Sequence, residues 1–300
     1  MLLNNKLLSP LLICCSFFIL SSCATTRHDT KSVVVKGPGE NYISVAETSV
    51  GDWLTYILTT SFTGDQKEIK LGEHYDKILP KLPALGPGRW DNYTMNAFLR
   101  KNQENVSIDF YNECKTRVVK LVVAKTAWDS IRQFELMDLP ITGITYEQAM
   151  KYVEYKQNIS NSCGFSPKDK FRYECFLPTP EQFDSVRSVM DSVNTRGCNM
   201  YNYKGSLCAD CPNGKEMILH PVSSRTGIEP TYIFGYFPDN LGLRNYKGNV
   251  AEMTSVKGIA MGGSCIHYAS ETYTGRKQTY VGSAGWLGFR VWYRRVAFGS

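Results

Sequence analysis

The chain has 300 residues, of which 43% are hydrophobic and 21% charged, a composition ordinary for a globular protein. The formal net charge is +6, but the basic residues are scattered, with no Lys/Arg cluster interleaved with aromatics, which argues against a nucleic-acid partner. The length beyond an N-terminal leader suits one large domain or two small ones.

Residues 1–22 read as a targeting leader. Lys6 precedes an apolar run from Leu7 to Leu20 that is too short to span a bilayer comfortably. Leu20-Ser-Ser-Cys23 follows at once and is similar to a bacterial lipobox, which implies cleavage before Cys23 and lipidation (palmitate) of that cysteine. Ala24, where an Asp would signal inner-membrane retention, points to an outer-membrane anchor facing the periplasm or the cell surface. Residues 23–40 are polar and patternless, the lipidated cysteine followed by a flexible tether, and the folded domain is expected over 41–300.

Asn41–Glu47 opens as a short strand. Ser49, with Asp52 three residues on, is a capping box, and Val50, Leu54, Ile57, Leu58 and Phe62 recur at helical spacing, so a helix is predicted over 50–62. Residues 63–139 read as a variable insertion of irregular structure, with one strand at Val118–Val123. Thr145 and Gln148 cap a second helix whose buried stripe is Ala149, Tyr152 and Val153. Thr179, Pro180 and Gln182 start a third, with Phe183, Val186, Met190 and Val193 on one face. Residues 194–235 are irregular. Near the end, Leu287, Phe289, Val291 and Tyr293 alternate with Gly288, Arg290, Trp292 and Arg294, which predicts a half-buried terminal strand.

Seven cysteines remain besides Cys23 and the leader's Cys14 and Cys15. An exported chain meets an oxidising compartment, so Cys163, Cys175, Cys198, Cys208 and Cys211 are disulfide candidates. Seven is odd, which leaves at least one thiol. Cys208-Ala-Asp-Cys211 is also half of a zinc site, or a redox pair, but no second CxxC or His pair sits at matching spacing.

Six short motifs occur in one order. They are Glu47-Thr-Ser-Val-Gly-Asp-Trp53, Pro140-Ile-Thr-Gly-Ile-Thr-Tyr-Glu-Gln-Ala149, Leu177-Pro-Thr179, Asn240-Leu-Gly-Leu243 with Gly248-Asn-Val-Ala-Glu252, Gly262-Gly-Ser264, and Gly288-Phe-Arg290. Together they resemble the formylglycine-generating enzyme, or sulfatase-modifying-factor, family over about residues 41–296. The resemblance implies an α+β, C-type-lectin-like fold with low regular secondary structure, twisted antiparallel sheets and a few packed helices. It also implies a calcium site at Asn245, Gly248, Val250 and Glu252, an oxygen-donor set suited to a hard cation.

The catalytic members hold copper between two cysteines placed a few residues after the Gly-Gly-Ser turn. Here those positions are His267 and Thr272, and Cys265 lies nearby without a second cysteine. Soft two-thiolate coordination therefore has no basis in this sequence, and neither copper nor iron is expected. Cys265, His267 and Trp286 remain as residues of the ancestral groove. Phe176, Pro180, Ala251 and Met253 also replace residues of the family pattern. The expectation is a non-catalytic, lipid-anchored envelope protein acting with other envelope proteins in an assembly, resembling the gliding-motility and type IX secretion lipoproteins of Bacteroidota. A lectin-like module binding glycan or peptide is the alternative, and a copper-dependent oxidase is the disfavoured third reading.

Overall fold

A computed structural model of the chain describes residues 33–37, 39–62, 69–70, 79–81, 83, 105–111, 117–124, 136–163, 171–193, 230, 233, 241–272 and 275–297. The leader, Cys23, most of the 63–139 insertion, and Cys198, Cys208 and Cys211 lie outside these residues.

The described elements form an α+β arrangement. In chain order they are β1 (Val33–Gly37), β2 (Gly39–Ile43), α1 (Val50–Ser61), β3 (Ile69–Lys70), β4 (Asn105–Tyr111), β5 (Arg117–Ala124), α2 (Tyr146–Cys163), β6 (Phe171–Phe176) and α3 (Pro180–Val193). Then follow β7 (Ala251–Met253), β8 (Ile259–Met261), β9 (Gln278–Thr279), β10 (Leu287–Gly288) and β11 (Trp292–Ala297). Three sheets result, in the orders β1-β2-β11-β6, β10-β7-β8-β9 and β3-β5-β4. The first is antiparallel throughout, and in the second β10 runs parallel to β7.

The three described helices start where their caps predict. Ser49 accepts from the Asp52 N–H at 3.1 Å while the Asp52 carboxylate accepts from the Ser49 N–H at 3.0 Å. Thr145 with Gln148 and Thr179 with Gln182 make the same reciprocal pair. Each box satisfies N–H groups that a helix start leaves without partners.

The larger core lies between α1, α2 and the second sheet. Trp53 stacks on Tyr152 at 5.5 Å and meets Phe289 edge-on at 6.2 Å. The Trp53 indole N–H donates to the Lys81 carbonyl at 3.0 Å, so the ring is buried with its polar atom satisfied. A second cluster of Ile43, Phe183, Val186, Leu243, Tyr246, Met261 and Trp292 packs α3 onto the first sheet.

The outer edge of β6 is closed by side chains. Gln157 and Asn161 of α2 both donate to the Tyr173 carbonyl, Asn161 accepts from the Tyr173 N–H, and Gln157 accepts from the Cys175 N–H. Two amides thus take the place of a neighbouring strand and blunt an edge that would otherwise template pairing.

The terminal strand differs from its expectation. It splits into β10 and β11, and Leu287 through Trp292 are buried on both faces, including Gly288 and Arg290. Only from Tyr293 onward does one face open. Gly288 explains the tightness, since a Cβ there would sit 2.8 Å from Val250 Cγ2 and 3.0 Å from the Ile141 carbonyl oxygen.

Candidate functional site

The motifs spread along the sequence converge on one buried polar node. The Phe289 and Val291 carbonyls accept from the N–H groups of Thr48 and Ser44 at 3.0 and 3.2 Å, laying the last motif against the first. This places Arg290 over the bend at Ser44–Val45. Its Nη1 donates to the Ser44 and Val45 carbonyls, both at 2.9 Å, and its Nη2 to the Arg244 carbonyl at 2.7 Å. Its Nε and Nη2 also hold Glu252, at 3.0 and 2.8 Å to Oε1, with Nε 3.2 Å from Oε2. Both side chains are essentially inaccessible to solvent.

Glu47 is the second carboxyl of the node. It accepts from the amides of Asn245 at 3.1 Å and Asn249 at 2.9 Å. Both asparagines have left-handed backbones, φ 52° and 59°, which Asn tolerates better than other non-glycine residues. Burial pushes the Glu47 carboxyl up to about 8, opposed by Arg290 and reinforced by the charge of Glu252. Burial also raises Glu252 against the pull of Arg290. For Arg290 burial works downward, but the two carboxyls outweigh it and hold the guanidinium charged. Since Arg290 grips Glu252 directly, that pair is the ion pair, and Glu47, held only by neutral amides, is the group that keeps a proton near neutrality.

The calcium expectation meets this geometry at Glu252. The only carboxylate of the set Asn245, Gly248, Val250 and Glu252 is already neutralised by Arg290, and the Asn245 amide N–H is turned to Glu47. A divalent cation at this set would have to share the Glu252 carboxylate with Arg290. Among the described residues, no three or more His, Cys, Asp or Glu side chains gather as a metal site.

Two of the groove candidates, Cys265 and His267, sit on the turn after Gly263. The Gly248 N–H donates to the Gly262 carbonyl and the Cys265 N–H to the Asn249 carbonyl, both at 3.0 Å, which ties the two Gly-rich turns together. Cys265 is a thiol buried to 1% exposure. His267 is half-buried, and its Nδ1 accepts from the Ser264 N–H at 3.1 Å and lies 2.7 Å from the Ser264 hydroxyl. This leaves the imidazole proton on Nε2. Burial lowers the His267 pKa, with Glu271 opposing, so the ring is neutral at physiological pH. Trp286 meets it edge-on at 5.1 Å. Structure thus joins His267 to Trp286 and Ser264, while Cys265 is buried and tied through its N–H to Asn249. Ser264 is fully buried and serves the turn, which makes it a poor nucleophile despite its histidine.

Cys175 is half-buried on β6. Its Sγ lies 4.0 Å from the Ser160 hydroxyl on α2. Cys163 ends α2, and its side chain lies outside the described residues.

No protein-family model matches the chain, and no curated protein does. Among solved structures the chain is similar to PvdO from Pseudomonas aeruginosa, at 10% identity over 85% of this chain and 80% of that one, with a TM-score of 0.43. It is also similar to CarF, at 14% identity over 86% and 87% with a TM-score of 0.39. Treponema denticola variable protein 1 aligns at 10% identity over 88% and 92% with a TM-score of 0.42.

Sequence reasoning named Glu252 and quoted the Gly-Phe-Arg motif. It missed Glu47 as a partner and missed Arg290 as a buried charge. A signal was present for Arg290: an arginine inside an apolar run needs a carboxylate, and few acidic residues lie in the motifs.

Proposed function

We propose that the chain is a non-catalytic outer-membrane lipoprotein, anchored through Cys23, whose sulfatase-modifying-factor-like domain serves as an interaction component of an envelope assembly. Assemblies of the gliding-motility and type IX secretion kind are the models for that role. The observation that supports this reading best is the use made of the charged motif residues. Glu252 and Arg290 neutralise each other inside the fold and cap three backbone carbonyls. Groups committed in this way serve shape, and the residues after Gly263 are likewise engaged in turn contacts.

The test is native purification from the source envelope in mild detergent, with mass spectrometry of co-purifying proteins. Wild type and Cys23→Ser are compared. The proposal expects a lipid-modified Cys23, loss of membrane association in the variant, and a stoichiometric envelope partner. Oxygen uptake with a cysteine-containing peptide and Cu(I) at enzymatic turnover would overturn the non-catalytic reading.

A further inference from the structure

The first sheet carries an unassigned cleft of about 590 Å³ where β6 and β11 meet the start of α3. Arg172, Glu174 and Phe176 alternate onto one face of β6, and in register Arg294 of β11 lies opposite Glu174. Thr179 and Gln182 border the cleft at the head of α3, and Ser255 borders it from the turn after β7. This cleft is separate from the His267–Trp286 turn, and none of its residues belongs to the Glu47–Glu252–Arg290 node.

Its charges are arranged loosely. Arg172 Nη2 is 4.0 Å from one Glu174 oxygen, and Arg294 Nη1 is 3.7 Å from the other. Those separations are too long for hydrogen bonds. All three side chains are 40–51% exposed, so the pairing is weak and readily exchanged for a better anion. The Arg294 guanidinium is nevertheless held in place, 5.1 Å above the centre of the Phe176 ring. The capping box fixes Thr179 and Gln182, and the N-terminal end of the 14-residue α3 adds partial positive charge.

We propose that this cleft binds a small hydroxylated ligand carrying one carboxylate, of the uronic-acid class. Two guanidinium forks suit a carboxylate. With Glu174 between them the cleft carries a net charge of plus one, which matches a monoanion and leaves one charge of a dianion such as phosphate uncompensated beside Glu174. Glu174 is also an acceptor for ligand hydroxyls, and Thr179, Gln182 and Ser255 supply further polar contacts. The volume lies within the range of small-molecule sites. This proposal is independent of the scaffold role, which its failure would leave untouched.

The test is calorimetric titration of the detergent-solubilised full chain with galacturonate and its dimer, beside neutral galactose and inorganic phosphate. Saturable binding of the acids, with galactose and phosphate roughly tenfold weaker or worse, is expected. Arg172→Gln and Arg294→Gln should each weaken acid binding by about tenfold, and the double variant should abolish it. Glu174→Gln should improve phosphate relative to galacturonate. Equal binding of galactose, tighter binding of phosphate by the wild type, undiminished binding by the double variant, or no binding of either acid would each overturn the proposal. Thermal melts confirm that the variants are folded, and the wild-type comparison of acid with neutral sugar decides the matter even if one is not.

Discussion

The protonated Glu47 makes a prediction with a sign and a size. The unfolded chain holds this carboxyl near its ordinary value of 4.5, and the folded chain holds it up to about 8. Between those values the native state keeps a proton that the unfolded state has released. Stability contributed by Glu47 is therefore full below about pH 4.5, falls as pH rises towards 8, and is flat beyond. The slope is about 1.4 kcal/mol per pH unit, and the whole loss is on the order of 5 kcal/mol at most, reduced by any relaxation of the node. Glu47→Gln removes the titration. The neutral amide can still accept from Asn249, while its NH2 faces the Asn245 amide and forces that side chain to turn over. The variant should carry a pH-independent penalty of about 1 kcal/mol and be free of the slope.

The assay is urea unfolding of wild type and variant at pH 5, 6, 7, 8 and 9. Other carboxyls titrate in both proteins, so the difference between the two isolates Glu47. It should favour wild type at pH 5 and shift steadily towards the variant up to pH 8. A difference that is constant from pH 5 to 8 would refute the assignment of the proton to Glu47 and leave Glu252 as the carrier.

Arg290→Met strips the counter-ion from Glu252 and the donors from three carbonyls, so it should lose about 3–5 kcal/mol by thermal or urea unfolding. Adding Glu252→Gln should recover part of that loss, a coupling that a double-mutant cycle reads directly. Gly263→Ala should destabilise by about 2–4 kcal/mol, because its φ of +69° disfavours a side chain and the new Cβ would lie 2.5 Å from Thr272 Cγ2. Thr272→Ser removes that methyl and should relieve the clash but not the backbone strain. Thr179→Ala should lose about 1 kcal/mol through the cap of α3, and Thr179→Ser should be close to neutral.

The helices were legible because their signals are local. Ser49 with Asp52, Thr145 with Gln148, and Thr179 with Gln182 each lie within four residues, and each box forms as its spacing implies. The strand at Val118–Val123 was legible for the same reason and appears as β5, extended by one residue at each end. The long-range contacts were not legible. Glu47 and Asn249 are 202 residues apart, and Arg290 reaches Ser44 across 246. Nothing in the alternation of Leu287 to Arg294 says that both faces are covered, because Trp53 and Tyr152 cover Phe289 while Ser44, Val45 and Glu252 enclose Arg290. The edge of β6 was hidden likewise, since two amides on α2 stand in for a strand that no sequence pattern announces.

That division bears on what kind of site each region can be. At the node, every charge has a partner fixed by backbone geometry, and removing one partner strands another in a dry interior. Such a network rigidifies the junction of the first and last motifs but has no capacity left for a reacting group. At the β6–β11 cleft the opposite holds. Arg172, Glu174 and Arg294 are half-exposed, spaced beyond hydrogen-bond distance and shared three ways, so a ligand anion replaces weak contacts with strong ones at little loss to the fold. Charges that hold the protein together and charges that remain available to a ligand are thus separated in this chain. The charges that the Gly-rich motifs carry belong to the former group, and the half-exposed charges lie on a face of the sheet that those motifs do not mark.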